Sequence, residues 1–215
     1  LVDIVELSPL TLADRRIYNL LIANAWERIG EPIVHRPPLY PAILAPVMAA
    51  NGNDVDAARV VPILCALGAL AALFWLSALL FGRDTAALAV AIAAVAETHA
   101  RLTTGFFTDV PAAMWLLASA AALLAAHRRD DMRWFAAAGA MLALSFWTKE
   151  TAIAWLPLPV AWALLDPPAR PKRGIAVFVA TFAVIVAPWF AWVLWHTGEA
   201  FKLDNTAFLA LAAGA

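Results

Sequence analysis

The chain has 215 residues, 64% of them hydrophobic and 14% charged, with a mean hydropathy of +0.78. Soluble domains are nearer half apolar and a quarter charged, so this composition excludes an ordinary water-soluble globule and predicts an all-α polytopic membrane protein. A formal net charge of −1 offers no electrostatic footprint for nucleic acid, and the single Cys65 excludes an intramolecular disulfide and reads as a small hydrophobe.

The chain opens Leu1-Val2-Asp3, with no Met and no charged-then-apolar leader, and stops soon after an apolar segment. Both ends read as cut, which predicts a piece of a longer protein. Residues 1–56 form an extracytoplasmic stretch with juxtamembrane helices. Its polar core, Asp14 to Pro41, carries an amphipathic run around Ile17, Leu20 and Leu21 that suits a helix lying on a membrane surface, or else a solvated loop. Residues 38–50 are apolar, but only about 13 long against the roughly 20 a span needs, and Pro41 and Pro46 interrupt them. They read as interfacial. Asn51-Gly52-Asn53-Asp54 is a turn, with Asp54 placed to cap the next helix.

Six spans follow, at about 57–81, 85–98, 110–126, 134–147, 151–165 and 174–195. Gly82-Arg83-Asp84 is a tight polar turn. The arms 134–147 and 151–165 pivot on Thr148-Lys149-Glu150, and 196–215 begin a further external loop. The loops at 82–84, 127–133 and 166–173 hold seven of the fifteen basic residues against four acids. By the positive-inside rule these loops are cytoplasmic, and residues 1–56, the 97–109 loop and the Lys149 pivot lie opposite. Trp134, Trp147, Trp162 and Trp195 fall near the predicted interfaces.

Three polar features thereby share the non-cytoplasmic side: Asp14 with Arg36, then Arg101 to Asp109, then Lys149-Glu150. A carboxylate and a guanidinium at a bilayer surface can serve a reaction on a charged lipid headgroup. Each residue also has a plainer reading. Arg36 can face generic anionic headgroups. Asp109, before Val110-Pro111, can be a helix cap. Lys149 can snorkel to the surface. His35, His99, His127 and His196 show no metal-ligand spacing, and no metal site is expected.

These segments carry a family resemblance, from about Asp14 to about Pro159. Asp14-x-x-x-Tyr18 followed by Arg36-Pro37-Pro38-Leu39-Tyr40-Pro41 resembles the first external loop of GT-C class glycosyltransferases, in the branch of protein O-mannosyltransferases and lipid A aminoarabinose transferases. That loop begins with an Asp-Glu pair, here Asp14-Arg15. Arg101-Leu-Thr-Thr-Gly-Phe-Phe-Thr-Asp109 is similar to the branch's Ser-Arg-x-x-x-x-Thr-Asp segment, and Trp147-Thr148-Lys149 to its Thr-Lys-Gly segment, with Glu150 in place of Gly. Phe81-Gly82-Arg83 resembles its Leu-Phe-Gly-Arg turn.

The resemblance implies a polyprenyl-phosphate sugar as donor substrate, no cofactor and no metal, with a first span and later helices beyond this chain. It implies Asp14 and Asp109 as catalytic acids, and Arg36, Tyr18, Tyr40, Arg101 and Lys149 as substrate-binding residues. The expected partners are membrane lipid, the donor and a lipid or protein acceptor. The expected setting is a bacterial inner membrane with the active face outside the cytoplasm, and the chain alone need not be active. The rival class is a transporter or flippase-like protein. Transporters place polar groups at mid-bilayer in broken, repeated helices. Here the spans carry almost no charge and no repeat is visible, which favours chemistry at a surface.

Overall fold

The computed structural model describes residues 37–52, 54–104, 106–165 and 170–198. Those residues are helical throughout, joined by short turns, and no strand occurs among them. The all-α membrane-type fold is therefore as expected.

α1 (Leu39–Ala50) is an apolar helix of 12 residues, about 18 Å long, too short to cross a bilayer. α2 (Val55–Ala58) is one turn, capped by Asp54, whose Oδ1 accepts from Asp56 N at 2.8 Å. α3 (Val60–Phe81) follows and ends at Gly82, whose φ of 91° favours a residue without Cβ. α4 (Arg83–Val95) and α5 (Glu97–Thr104) are bent by 64° at Ala96. α6 (Asp109–Arg129) and α7 (Met132–Thr148) form a hairpin. Asp130 turns it in the left-handed region, and Asp131 caps α7 by accepting from Arg133 N at 2.9 Å. A 3-10 turn over Glu150–Trp155, α8 (Pro157–Leu165) and α9 (Arg170–Thr197) complete the described chain.

Three of the six expected spans differ: that at 134–147 forms α7, which at 17 residues is not among the helices long enough to cross, and two others differ in detail. The segment predicted at 151–165 divides into the 3-10 turn and α8. Pro157 has no N–H to donate back into a preceding turn, and it suits the first position of a new helix. The segment predicted at 85–98 stops at Val95, and polar Glu97 opens the differently directed α5. Among the described residues, three helical stretches are long and apolar enough to cross a membrane: Asp56–Phe81, Asp109–Arg129 and Lys172–His196. The bent α4–α5 pair makes a fourth if it counts as one span.

Contacts fix how the helices run. Val61 shares a buried cluster with Val110, Gly68 meets Met114, and Trp75 meets Trp134, so α3 and α6 run the same way. Ser145 Oγ donates to Ala112 O and Ser119 Oγ to Ala138 O, both at 2.8 Å, so α7 returns along α6. Gly174 abuts the Phe135 ring, Gly139 abuts Phe178 O, and Trp147 Nε1 donates to Ile185 O at 3.0 Å, so α9 runs beside α7 in the same direction. A Cβ at Gly139 would fall well inside contact with the Phe178 carbonyl, and only glycine permits so close an approach.

The main core sits between α6, α7 and α9 around Leu142, Phe146, Phe178, Phe182 and Val186. A smaller cluster gathers Tyr40, Leu44, Val61, Phe106 and Val110. The bundle therefore has two distinct ends. Gly82-Arg83, the α6–α7 turn and the start of α9 lie at one. The start of α6, the end of α7 and the smaller cluster lie at the other.

Candidate functional site

Asp109 is the first residue of α6, after Thr108 as N-cap, so the expectation that Asp109 itself caps the helix is corrected by one position. Thr108 has near-helical backbone angles and makes no side-chain capping bond. The Asp109 carboxylate reaches toward the end of α7. It meets Lys149, with Nζ 2.6 Å from Oδ1. The side chains are 34% exposed for Lys149 and 45% for Asp109, so an incoming anion or hydroxyl can reach the pair.

Lys149 is held from behind. It leaves α7 in extended backbone, its N–H donating to Ser145 O at 2.8 Å and its O accepting from Ala152 N at 3.1 Å. Thr148 Oγ1 is turned back onto Leu144 O. The Trp147 indole is fastened to α9 through Ile185 O and lies edge-on to Trp189. The Ser145–Ala112 bond clamps α7 to α6 one turn from the ion pair. Ser145 was not singled out in the sequence. Its place as a polar residue inside an apolar helix, four residues before Lys149, is the only signal the sequence carries for it; its full burial is seen in the structure.

Tyr40 stands in the smaller cluster with Val110, the neighbour of Asp109. It is 2% exposed, and its hydroxyl is buried without a hydrogen-bond partner among the described residues. Burial, and to a smaller degree nearby Cys65, pushes the phenol above its ordinary pKa, so it stays a neutral donor. Arg101 lies on the outer side of α5, its side chain 79% exposed, with NH1 3.6 Å from Glu97. Asp14, Tyr18 and Arg36 lie outside the described residues. Of the predicted site residues, the structure thus joins Asp109 to Lys149, sets Tyr40 in the cluster beside them, and leaves Arg101 at the rim.

Chemically this arrangement offers a carboxylate, an ammonium and a phenol with no partner among the described residues, at one end of an apolar helical bundle. The family model for dolichyl-phosphate-mannose-protein mannosyltransferase matches residues 35–192. No curated protein and no solved structure matches the chain significantly.

Proposed function

The chain belongs to the dolichyl-phosphate-mannose-protein mannosyltransferase family, of GT-C type, and is an integral membrane glycosyltransferase of mannosyltransferase kind; on that premise we propose that it moves a sugar from a polyprenyl-phosphate donor to a hydroxyl of a protein or lipid acceptor at the Asp109–Lys149 end of the bundle. The single observation that carries the placement is the accessible ion pair of Asp109 and Lys149. It gathers an anion-binding group and a carboxylate at the bundle end opposite the basic turns. That end faces away from the cytoplasm, in a bacterial inner membrane.

In this reading Asp14 is the general base. It takes the proton of the acceptor hydroxyl as the oxygen attacks the anomeric carbon. The carbon–oxygen bond to the lipid phosphate breaks on the opposite face, and the configuration inverts. General base assistance is worth about 10²–10⁴-fold. Arg36 and Lys149 neutralise the departing phosphate. Tyr40 donates its hydroxyl to the donor, and Tyr18, four residues after Asp14, binds substrate beside the base. Arg101 screens the approach, and Asp109 orients Lys149. Arg36 precedes Tyr40 by four residues in the sequence, and Tyr40 is anchored beside Val110, which supports a role for Arg36 in the same site.

The transporter alternative gives way, since membership of a glycosyltransferase family and polar groups collected at a bundle end both favour group transfer. The test is transfer of labelled mannose from polyprenyl phosphate by the full-length protein. Asp14→Asn is expected to lose turnover by at least about 10²-fold while donor binding persists. Wild-type turnover in that variant removes Asp14 as the base.

A further inference from the structure

The two ends of the bundle treat their cations differently. At the Asp109 end each described cation rests on a carboxylate: Arg59 on Asp56 at 3.0 Å, Arg101 on Glu97 at 3.6 Å and Lys149 on Asp109 at 2.6 Å. At the opposite end Arg83, Arg128, Arg129, Arg133, Lys172 and Arg173 have no carboxylate partner among the described residues. Acids are near in sequence, but Asp131 is spent on capping α7. The carboxylates of Asp84, Asp130 and Asp131 stand against these six cations without pairing with them, so the end keeps a surplus of positive charge among the described residues.

One of these cations is held in place. The Arg129 guanidinium lies over the Trp134 ring, 5.0 Å from its centroid, and Trp134 in turn packs on Trp75 at 5.6 Å. Stacking occupies the face of a guanidinium and leaves its edge donors free for a pair of phosphate oxygens. Arg129 is exposed, so those donors are reachable. Beside Trp75 the outer surface of α3 is apolar at the same end, with Phe74, Leu80 and Phe81 exposed at 38%, 49% and 69%. A fixed phosphate donor above an apolar helix face matches a molecule with an anionic head and hydrocarbon tails.

We infer that this corner of α3, α6 and α7 binds an anionic phospholipid. Arg129, seated on Trp134, takes the headgroup phosphate, Arg128 and Arg133 flank it, and the acyl chains lie along Phe74 and Phe81. The soluble alternative, free phosphate, has no use for the apolar strip. The site is at the end of the bundle away from Asp109 and Lys149 and does not depend on the glycosyl transfer reading.

The test uses the full-length protein in neutral detergent, titrated with phosphatidylglycerol or phosphatidylcholine, with bound lipid counted by native mass spectrometry. Phosphatidylglycerol is expected to saturate a site that phosphatidylcholine does not fill. Arg129→Gln should weaken it about tenfold, the scale of a charge-assisted hydrogen bond. Arg129→Lys should fall between, since charge remains and the planar fork is lost. Arg59→Gln, a cation of the other end, should bind as wild type does. If Arg129→Gln does not fold, Trp134→Phe replaces it and should weaken binding about threefold through the poorer cation–π face. Undiminished binding in the variant that folds, or an equal loss in Arg59→Gln, overturns the assignment. Displacement by inorganic phosphate as effective as by phosphatidylglycerol overturns the lipid in favour of a soluble anion.

Discussion

Lys149 Nζ lies 2.6 Å from Asp109 Oδ1, across the seam where α7 ends and α6 begins. The two are 40 residues apart in the chain and lie at the same end only because α7 folds back along α6. A half-exposed pair of this kind contributes about 0–1 kcal/mol to stability, so its purpose is not to hold the fold. Asp109→Asn and Lys149→Met should each shift thermal stability little while lowering sugar transfer by about 10²-fold, the scale of losing one fixed charge from a transfer site. In a double-mutant cycle the combined variant should be little worse than the poorer single one. Losses that simply multiply would show that the pair does not act as a unit.

Tyr40 separates packing from function. Its hydroxyl is buried without a partner among the described residues, so removing it leaves none of them unsatisfied. Tyr40→Phe should leave the melting temperature unchanged or slightly higher. If the hydroxyl donates to the sugar donor, KM for the donor should rise about 2–10-fold with kcat nearly kept, the worth of one neutral hydrogen bond. Burial holds the phenol above its ordinary pKa, so this contribution belongs to the protonated form and is present throughout the neutral range. It is lost only when pH rises through that elevated value. Unchanged KM removes Tyr40 from the donor site.

Gly139 controls how closely α9 sits against α7. A side chain there must displace the Phe178 backbone, which cannot yield as a flexible side chain would. Gly139→Ala should cost about 1–3 kcal/mol as an overpacked core position. Ser145→Ala, which deletes the bond to Ala112 O, should cost about 0.6 kcal/mol, near the mean for interhelical hydrogen bonds in membranes. Chemical denaturation in detergent would rank the two, and an equal or reversed order would contradict the packing account.

Orientation can be read with single cysteines in a Cys65→Ala background. Positions 83, 129 and 173 should react from the cytoplasmic side, and positions 109 and 149 from the other, because the basic turns gather at one end. Positions 35 and 53 should be reached from the same side as 109, since α1 is too short to cross. Labelling of position 129 from outside intact cells would invert the arrangement.

Hydropathy made the helical class, the long α3, α6 and α9, and the short α1 legible, because long apolar runs leave few alternatives. Asp54 was legible as a cap because its chemistry is local. The 3-10 turn after Lys149 was less so, although Pro157 marked where it had to end. The bend at Ala96 has no proline or glycine to announce it. Asp109 and Lys149 could each be singled out as charges beside apolar segments, yet their contact was not legible, since it depends on the register of α6 against α7. Ser145, Ser119, Ala138 and Gly139 set that register and the approach of α9. Small residues in apolar helices look alike in a sequence until the partner helix is known.

The account places a lipid-phosphate donor at the Asp109–Lys149 end, and photolabelling locates it most directly. Full-length protein in lipid would be irradiated with a polyprenyl phosphate that carries a diazirine next to its phosphate, and the labelled peptides would be mapped. The account predicts label on peptides around Tyr40, Asp109 and Lys149, reduced in Lys149→Met and competed by unlabelled polyprenyl-phosphate mannose. Label confined to the Arg129–Trp134 end, or unaffected by Lys149→Met and by that competitor, would contradict it.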